Sequence, residues 1–291
     1  MDKLLIINAD DFGLDEEVNL AIIEAHRNGL VRSASLMVNM PGTESAARMA
    51  RREPSLKVGL HLNISEGLCA APRRSLGLLV DDEGRFRFDT AEIANSLQRW
   101  RCWIDEKPEF IVQFATEIRY QVETFRNLGL SLAHLNAHHY LPLIHSRLYS
   151  SYVRLAESLG VPFRGLCEPM LELLRTPTRG LAEIASATRS ARVPSPFVSI
   201  SNLLDATHQR DVSSSQYRSL IEAKLTELAS REEVVSVEII VHPAIPRERP
   251  GDVYAWARQL ETMLVHSAEF RRRIESLRYS IGDHSSLSTR L

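Results

Sequence analysis

Four short apolar runs in the chain share one design, because each leads into polar residues that can bind a metal or carry a proton. The runs cover residues 4–7, 58–60, 130–135 and 234–241. They lead, in order, into Asn8-Ala9-Asp10-Asp11, His61-Leu62-Asn63, Asn136-Ala137-His138-His139 and His242-Pro243. Runs of this length and aliphatic content predict buried strands of the kind found in parallel sheets.

Helical periodicity separates these runs. We predict helices over residues 15–28, 43–52, 108–128, 146–159, 213–230, 252–264 and 267–277, with a last short strand at 278–281. Alternating strands and helices are typical of parallel β/α units and predict an α/β fold. A β/α barrel and an open doubly wound sheet both gather functional residues at the carboxyl ends of their strands, so this pattern alone leaves the two architectures open.

Two stretches are less regular. Residues 68–89 are interpreted as an excursion that contains a turn, and residues 172–201 as a loop or lid. Neither resembles a domain linker. We therefore expect one domain over residues 1–291.

The composition excludes several classes of protein. The chain has 44% apolar and 25% charged residues and a net charge of -2, which gives no reason to expect nucleic acid or an anionic membrane as a partner. No apolar run approaches the roughly 18 residues of a membrane span, and the first residues lack the features of a signal peptide. A cytoplasmic protein is expected, with Cys69, Cys102 and Cys167 as reduced thiols.

The adjacent carboxylates Asp10 and Asp11 close the first predicted strand. Such a pair is costly to bury unless each member has a partner. A metal ion could hold one carboxylate while the other stays free as a general base. The alternative is that they cap the amino end of the following helix.

The histidines follow the other strands. His61 alone would more often be a hydrogen-bonded core residue, but the similar end of a second strand favours a functional role. On an extended strand His134, Asn136 and His138 share one face, which favours His138 over His139 as an inward ligand unless the strand has already ended. Glu238 lies four residues before His242, where its carboxylate could tune the pKa of the imidazole or lie against other groups at the same rim.

Together, Asp11, His61 and His138 would provide one carboxylate and two imidazoles, a set that suits a catalytic divalent metal ion with open positions. Asp10 could then take a proton from water, and His242 could protonate a departing amine. The constellation indicates hydrolysis of an amide or ester. The motifs GxGxxG, GxxxxGK[ST], GxSxG and HExxH are missing from the sequence.

These blocks resemble the YdjC family of carbohydrate deacetylases. The resemblance rests on Asn8-Ala9-Asp10-Asp11-Phe12-Gly13, Gly59-Leu60-His61-Leu62-Asn63, His134-Leu135-Asn136-Ala137-His138 and Glu238-Ile239-Ile240-Val241-His242-Pro243, in that order. It implies a distorted TIM-like (β/α) barrel, a Mg²⁺ or Zn²⁺ ion, and removal of acetyl groups from N-acetylated sugars such as chitooligosaccharides. It also implies the roles given above for Asp10, Asp11, His61, His138 and His242. Asn63 and Glu238, in the same blocks, are predicted to contact the substrate, and a homodimer is common among members.

The chain departs from the family pattern in one run. Members commonly carry Asp-x-His-x-His-x-His, whereas this sequence has Asn136, His138, Tyr140 and Pro142 at those positions. Asn at 136 resembles a variant in branches associated with hopanoid lipid biosynthesis, so a glycolipid substrate is also open. Two further alternatives are a hydrolase of another amide or ester on the same scaffold, and a non-catalytic sugar-binding relative.

Overall fold

A computed structural model describes residues 2–88, 96–166, 179–194, 196, 198–200, 212–245 and 255–289. Its strands form one seven-stranded sheet. They are β1 (Lys3–Phe12), β2 (Ser33–Leu36), β3 (Lys57–Leu62), β4 (Leu135–Ala137), β5 (Val198–Ile200), β6 (Ser236–Val241) and β7 (Tyr279–Gly282). The order is β4-β3-β2-β1-β6-β5, with β7 also paired to β1, and every one of these pairings is parallel.

Helices lie between successive strands along the chain. They are α1 (Glu16–Arg27), α2 (Thr43–Ala50), α3 (Leu97–Glu106), α4 (Pro108–Asn127), α5 (Ser146–Leu159), α6 (Arg179–Ser190), α7 (Ser214–Ser230), α8 (Ala255–His266) and α9 (Ala268–Ser276). Among the described helices, none offers the long apolar stretch that a membrane span requires.

The sheet curves into a half-barrel, which confirms the predicted α/β fold of the distorted TIM-like kind. The curvature continues beyond β4, where Leu135 pairs with Phe163 in parallel. The backbone N–H of Arg164 donates to the Leu135 carbonyl over 2.9 Å, and that of Phe163 donates to the Pro194 carbonyl over 3.0 Å. These short ladders bring residue 164 to the same rim as the ends of β1, β3 and β4.

Several predicted helices agree closely with the structure, and α5 has the predicted bounds. The predicted helix at 252–264 begins outside the described residues, and its described part is α8. Part of the predicted loop at 172–201 is instead α6 and β5, while residues 172–178 lie outside the described residues. The helix α3 and the strand β2 were not predicted.

The strand β4 is shorter than the predicted run at 130–135, because only Leu135–Ala137 pair as a strand. His134, just before β4, lies across the backbone of β3. A Cβ atom added to Gly59 would come within 2.4 Å of the His134 ring, so only glycine permits this close approach.

Candidate functional site

The two adjacent carboxylates reach the same pocket because the end of β1 is irregular. The pairing of β1 with β2 changes register between Ala9 and Phe12, and Asp11 has a φ of 66°, in the left-handed region. As a result Asp10 Oδ2 and Asp11 Oδ1 lie 3.9 and 3.5 Å from His61 Nε2. The helix-capping alternative is wrong, because Asp15 caps α1 by accepting a hydrogen bond from the Val18 N–H.

Asp11, His61 and His138 form a compact group of candidate metal ligands. His138 Nδ1 lies 3.2 Å from Asp11 Oδ1 and 3.2 Å from His61 Nε2. Ligands at 2.0–2.1 Å in a tetrahedral arrangement stand about 3.3–3.4 Å apart, so these spacings suit one cation. Asp11 Oδ1 is buried and accepts no well-aligned hydrogen bond from the described part of the chain, as expected of an atom meant for an ion.

Asn136 determines which nitrogen of His61 faces this group. Its amide nitrogen donates to Asp10 Oδ1 over 3.2 Å and to Ser35 Oγ over 2.6 Å. Its carbonyl oxygen therefore faces His61 Nδ1, at 2.7 Å, and must accept the proton that Nδ1 carries. His61 Nε2 is left with a free electron pair that points toward Asp11 and His138.

Asp10 is held by donors on one oxygen and left more open on the other. Its Oδ1 accepts from Asn8, Asn136 and Arg164, whereas the structure gives Oδ2 one hydrogen bond, from Arg164 Nη1 over 2.7 Å. Burial alone would raise the pKa of Asp10, but the Arg164 guanidinium and His61 outweigh burial and lower it. Asp10 therefore stays ionised at neutral pH.

Glu238 serves Arg164 and does not reach His242. Its carboxylate accepts from Arg164 Nη2 over 2.8 Å and from Ser199 Oγ over 2.8 Å, and it is fully buried. His284, from the segment after β7, lies 3.2 Å from it. The sequence left two positions open for the Glu238 carboxylate, beside His242 or against other groups of the rim. The structure places it against the other groups.

The partner of His242 is Glu261, on α8. Glu261 Oε2 accepts from the backbone N–H of His242 over 2.6 Å and lies 3.1 Å from its Nδ1. Burial alone would lower the pKa of His242, but the Glu261 carboxylate, with smaller contributions from Asp11 and Asp10, raises it. The side chain is 27% exposed, so this imidazole borders solvent.

The same helix also supports Asp11. Arg258, one turn before Glu261, donates from Nη2 to Asp11 Oδ2 over 2.8 Å. Burial alone would raise the pKa of Asp11, but Arg258 and His138 hold it well below the ordinary value. Each of the two adjacent carboxylates thus has its own arginine, and Oδ1 of Asp11 is the oxygen left for a cation.

Asn63 and Glu66 shape the loop after β3. Asn63 is fully buried, and its Oδ1 accepts from the backbone N–H groups of Ser65 and Glu66 over 3.1 Å each. Glu66 Oε1 lies 3.5 Å from His138 Nε2. Burial alone would lower the pKa of His138, but Asp11 and Glu66 raise it to about 9 when no cation is bound.

His138, not His139, groups with Asp11 and His61. His139 appears only in a second group, with Glu66 and His138. Three supporting residues were missed by the sequence analysis, namely Arg164, Arg258 and Glu261. The one signal for them was the spacing of Arg258 and Glu261, which places both on one helix face toward the strand ends.

Comparisons with known proteins agree with this site. The family model described as "YdjC-like protein" matches residues 4–276. A carbohydrate deacetylase of Brevibacillus brevis is 40% identical over 161 residues, which cover 55% of this chain and 58% of that protein. One from Vibrio cholerae is 38% identical over 162 residues, covering 56% and 58%. The chain thus matches somewhat more than half the length of these two relatives.

Longer matches extend over the whole chain. A carbohydrate deacetylase of Vibrio campbellii is 32% identical over 291 residues, covering 98% of this chain and 97% of that protein. The crystal structure of a suggested cellobiose-phosphate cleavage protein from Enterococcus faecalis V583 superposes with a TM-score of 0.72 at 23% identity, covering 99% of both chains. The latter likeness concerns the fold alone. From the family match and the full-length relative, the chain belongs to the family of YdjC-like proteins.

Proposed function

We propose that the protein is a metal-dependent hydrolase that removes the acetyl group from an N-acetylated sugar. One observation carries the proposal: Asp11 Oδ1, His61 Nε2 and His138 Nδ1 lie within 3.2–3.5 Å of one another, beside the carboxylate of Asp10. The relatives named as carbohydrate deacetylases supply the substrate class.

The ligand set supports Zn²⁺ over Mg²⁺. Two imidazole nitrogens and one carboxylate oxygen suit zinc and similar transition metals, whereas magnesium favours oxygen ligands and water. The metal would be held by Asp11, His61 and His138. When bound, such an ion polarises an acyl oxygen and makes water more acidic.

The proposed mechanism assigns the proton transfers to Asp10 and His242. Asp10 Oδ2 accepts the proton of the water that adds to the acetyl carbon. His242, charged through its pairing with Glu261, gives its proton to the amide nitrogen as the C–N bond breaks. The products are acetate and the free amine of the sugar. Each transfer contributes roughly 100- to 10,000-fold in rate.

Asn63 and Glu238 are proposed to act through other residues and not on the substrate. Both are fully buried, and their side-chain oxygens are bound within the protein. Asn63 would hold the loop that carries Glu66, and Glu238 would hold Arg164 against Asp10. The cytoplasmic location, the homodimer and the lack of a nucleic-acid partner stay predictions.

The test is acetate release from a panel of acetylated compounds by the zinc-loaded enzyme. N-acetylated mono- and oligosaccharides, an N-acetylated glycolipid, a peptide amide and an O-acetyl ester would be compared. Preferential release from the acetamido sugars is expected. Release only from the peptide amide or the ester would replace this proposal with another hydrolase, and sugar binding without acetate would indicate a non-catalytic relative.

A further inference from the structure

His138 turns its two ring nitrogens toward two different sets of groups. Its Nδ1 faces Asp11 and His61, as described above. Its Nε2 faces Glu66 Oε1 at 3.5 Å, a spacing longer than a good hydrogen bond and close to that of two ligands on one ion. The His138 side chain is 9% exposed, and within the described ranges its Nε2 is a buried atom without a hydrogen-bond partner.

His139 adds a third possible metal ligand beside Glu66 and the Nε2 atom of His138. The donor atoms of Glu66, His138 and His139 lie within 4.8 Å of one another. The ring centroids of His138 and His139 are 3.7 Å apart. His139 and Tyr140 both have a φ of 52°, an unusual conformation for residues other than glycine, and this bend brings the second ring back beside the first.

Ser65 favours the tautomer that a ligand needs. Its Oγ lies 3.1 Å from His139 Nδ1 and 3.4 Å from Asn63 Oδ1, which can only accept. When the hydroxyl proton points to Asn63, Oγ accepts a proton from His139 Nδ1. His139 Nε2 then keeps its electron pair for a cation.

We propose that Glu66, His138 and His139 form a second, weaker site for a divalent cation of the zinc type, the outer site. It shares His138 with the candidate site of Asp11, His61 and His138, the inner site. The proposal rests on the proposed function in one respect, that His138 Nδ1 binds the inner ion. With a cation on each nitrogen, His138 would be an imidazolate, and the proton from Nε2 would pass to solvent. Two nitrogens and one carboxylate oxygen again favour zinc and similar transition metals.

The outer site is weaker because the Glu66 side chain is 43% exposed and because two cations share one ring. The Glu66 side chain is partly exposed, so the outer cation would lie on the side of the inner group that borders solvent and is open to substrate. Excess Zn²⁺ is therefore expected to inhibit the enzyme, whereas the first equivalent activates it.

The test is a calorimetric titration of the metal-free protein with Zn²⁺, with the metal content measured after dialysis and acetate release followed in parallel. Wild type is expected to bind one ion tightly and a second more weakly. Glu66→Gln and His139→Asn are expected to keep the first ion and lose more than about tenfold in affinity for the second, together with the inhibition. Asn tolerates the left-handed backbone, so His139→Asn spares the bend. Glu232→Gln removes an exposed carboxylate far from the site and serves as the control.

The other outcomes overturn the proposal in distinguishable ways. One ion at any Zn²⁺ concentration would leave the proposed function intact and remove the outer site. A second ion that persists in both variants would lie elsewhere. Loss of the first ion in Glu66→Gln would mean that Glu66 orients His138 and does not bind a second ion. Absence of any bound ion in wild type would remove the inner site and the outer one together.

Discussion

Asn136 is the residue on which the orientation of the candidate metal ligands depends most. Because Asp10 is ionised and can only accept, the Asn136 amide nitrogen must face it, and the carbonyl oxygen must face His61. Asp, the residue that the family resemblance implies at this position, would also accept from His61. The departure from the family pattern therefore preserves the ligand and changes what surrounds Asp10.

Substitution of Asn136 is expected to separate these two effects. Asn136→Ala removes the acceptor for His61 Nδ1 and should weaken Zn²⁺ binding by roughly 10- to 100-fold. Asn136→Asp keeps the acceptor and should stay within a few-fold of wild type. Competition with a chelating dye measures both. Equal affinity in wild type and Asn136→Ala would contradict the orienting role.

Asp10→Asn tests the proposed base. The change keeps the shape of the side chain and removes its charge, so the turnover number should fall by roughly 100- to 10,000-fold while the bound metal stays at the wild-type level. Acetate release and metal content are measured on the same sample, with Asp82→Asn, at an exposed turn, as the control. Near-normal turnover in Asp10→Asn would assign the proton transfer to another group.

The candidate metal ligands could be predicted from the sequence, but the residues that hold them in place could not. Asp11, His61 and His138 each end or follow a strand, and the ends of parallel strands meet at one rim. Arg164 and Arg258 come from elsewhere in the chain, and their pairing with the two carboxylates depends on which segments the barrel brings together. For the same reason the carboxylate nearest to His242 in the sequence, Glu238, is not its partner in the fold.

At the scale of elements, α8 supports the site twice. Arg258 and Glu261 lie about one helical turn apart and bind Asp11 and His242, so a shift of this helix would disturb the candidate ligand and the candidate acid together.

Glu261→Gln tests the electrostatic part of this support. Gln can still accept from the His242 backbone but no longer carries the charge that raises the pKa of His242. An acid with a raised pKa works until the pH passes that value, so the loss of the charge should move the alkaline limb of the rate profile to lower pH. The pH dependence of the turnover number measures this shift, with Glu275→Gln on α9 as the control. An unmoved alkaline limb would exclude His242 as the acid.

Elements with strong periodicity were predicted well, and short or polar ones were not. The helices α4 and α5 bury one apolar face and could be located nearly to the residue. The strand β2 is buried through Ser33 and Ser35 as well as apolar residues, and the Ser35 hydroxyl contacts Asn8, Asn136 and His134. A strand that is buried partly through small polar residues leaves no clear apolar pattern to detect.

For the whole molecule, the candidate metal group joins strands that are distant in the sequence. Asp11 lies on β1, His61 on β3 and His138 directly after β4, so an ion bound there would link three strands of the half-barrel. The pattern of strands and helices alone could not separate a barrel from an open sheet, because both place such groups at strand ends, and it was the family resemblance that implied the barrel. The curvature that distinguishes them arises from pairing beyond β4.

Metal loading is therefore expected to stabilise the fold. At a free Zn²⁺ concentration about 1,000 times the dissociation constant, a ligand that binds only the folded state adds about 4 kcal/mol. For a chain of this size that should raise the melting temperature by roughly 6–7 °C. Calorimetry with and without a chelator measures the difference, and Asp11→Asn should abolish it. An equal shift in that variant would place the stabilising ion elsewhere.

The most direct test of the account is anomalous X-ray diffraction at the zinc edge from crystals given one equivalent of Zn²⁺. The account predicts one peak, about 2.0–2.2 Å from Asp11 Oδ1, His61 Nε2 and His138 Nδ1. A peak bound by other residues, or no peak among these three side chains, would contradict it.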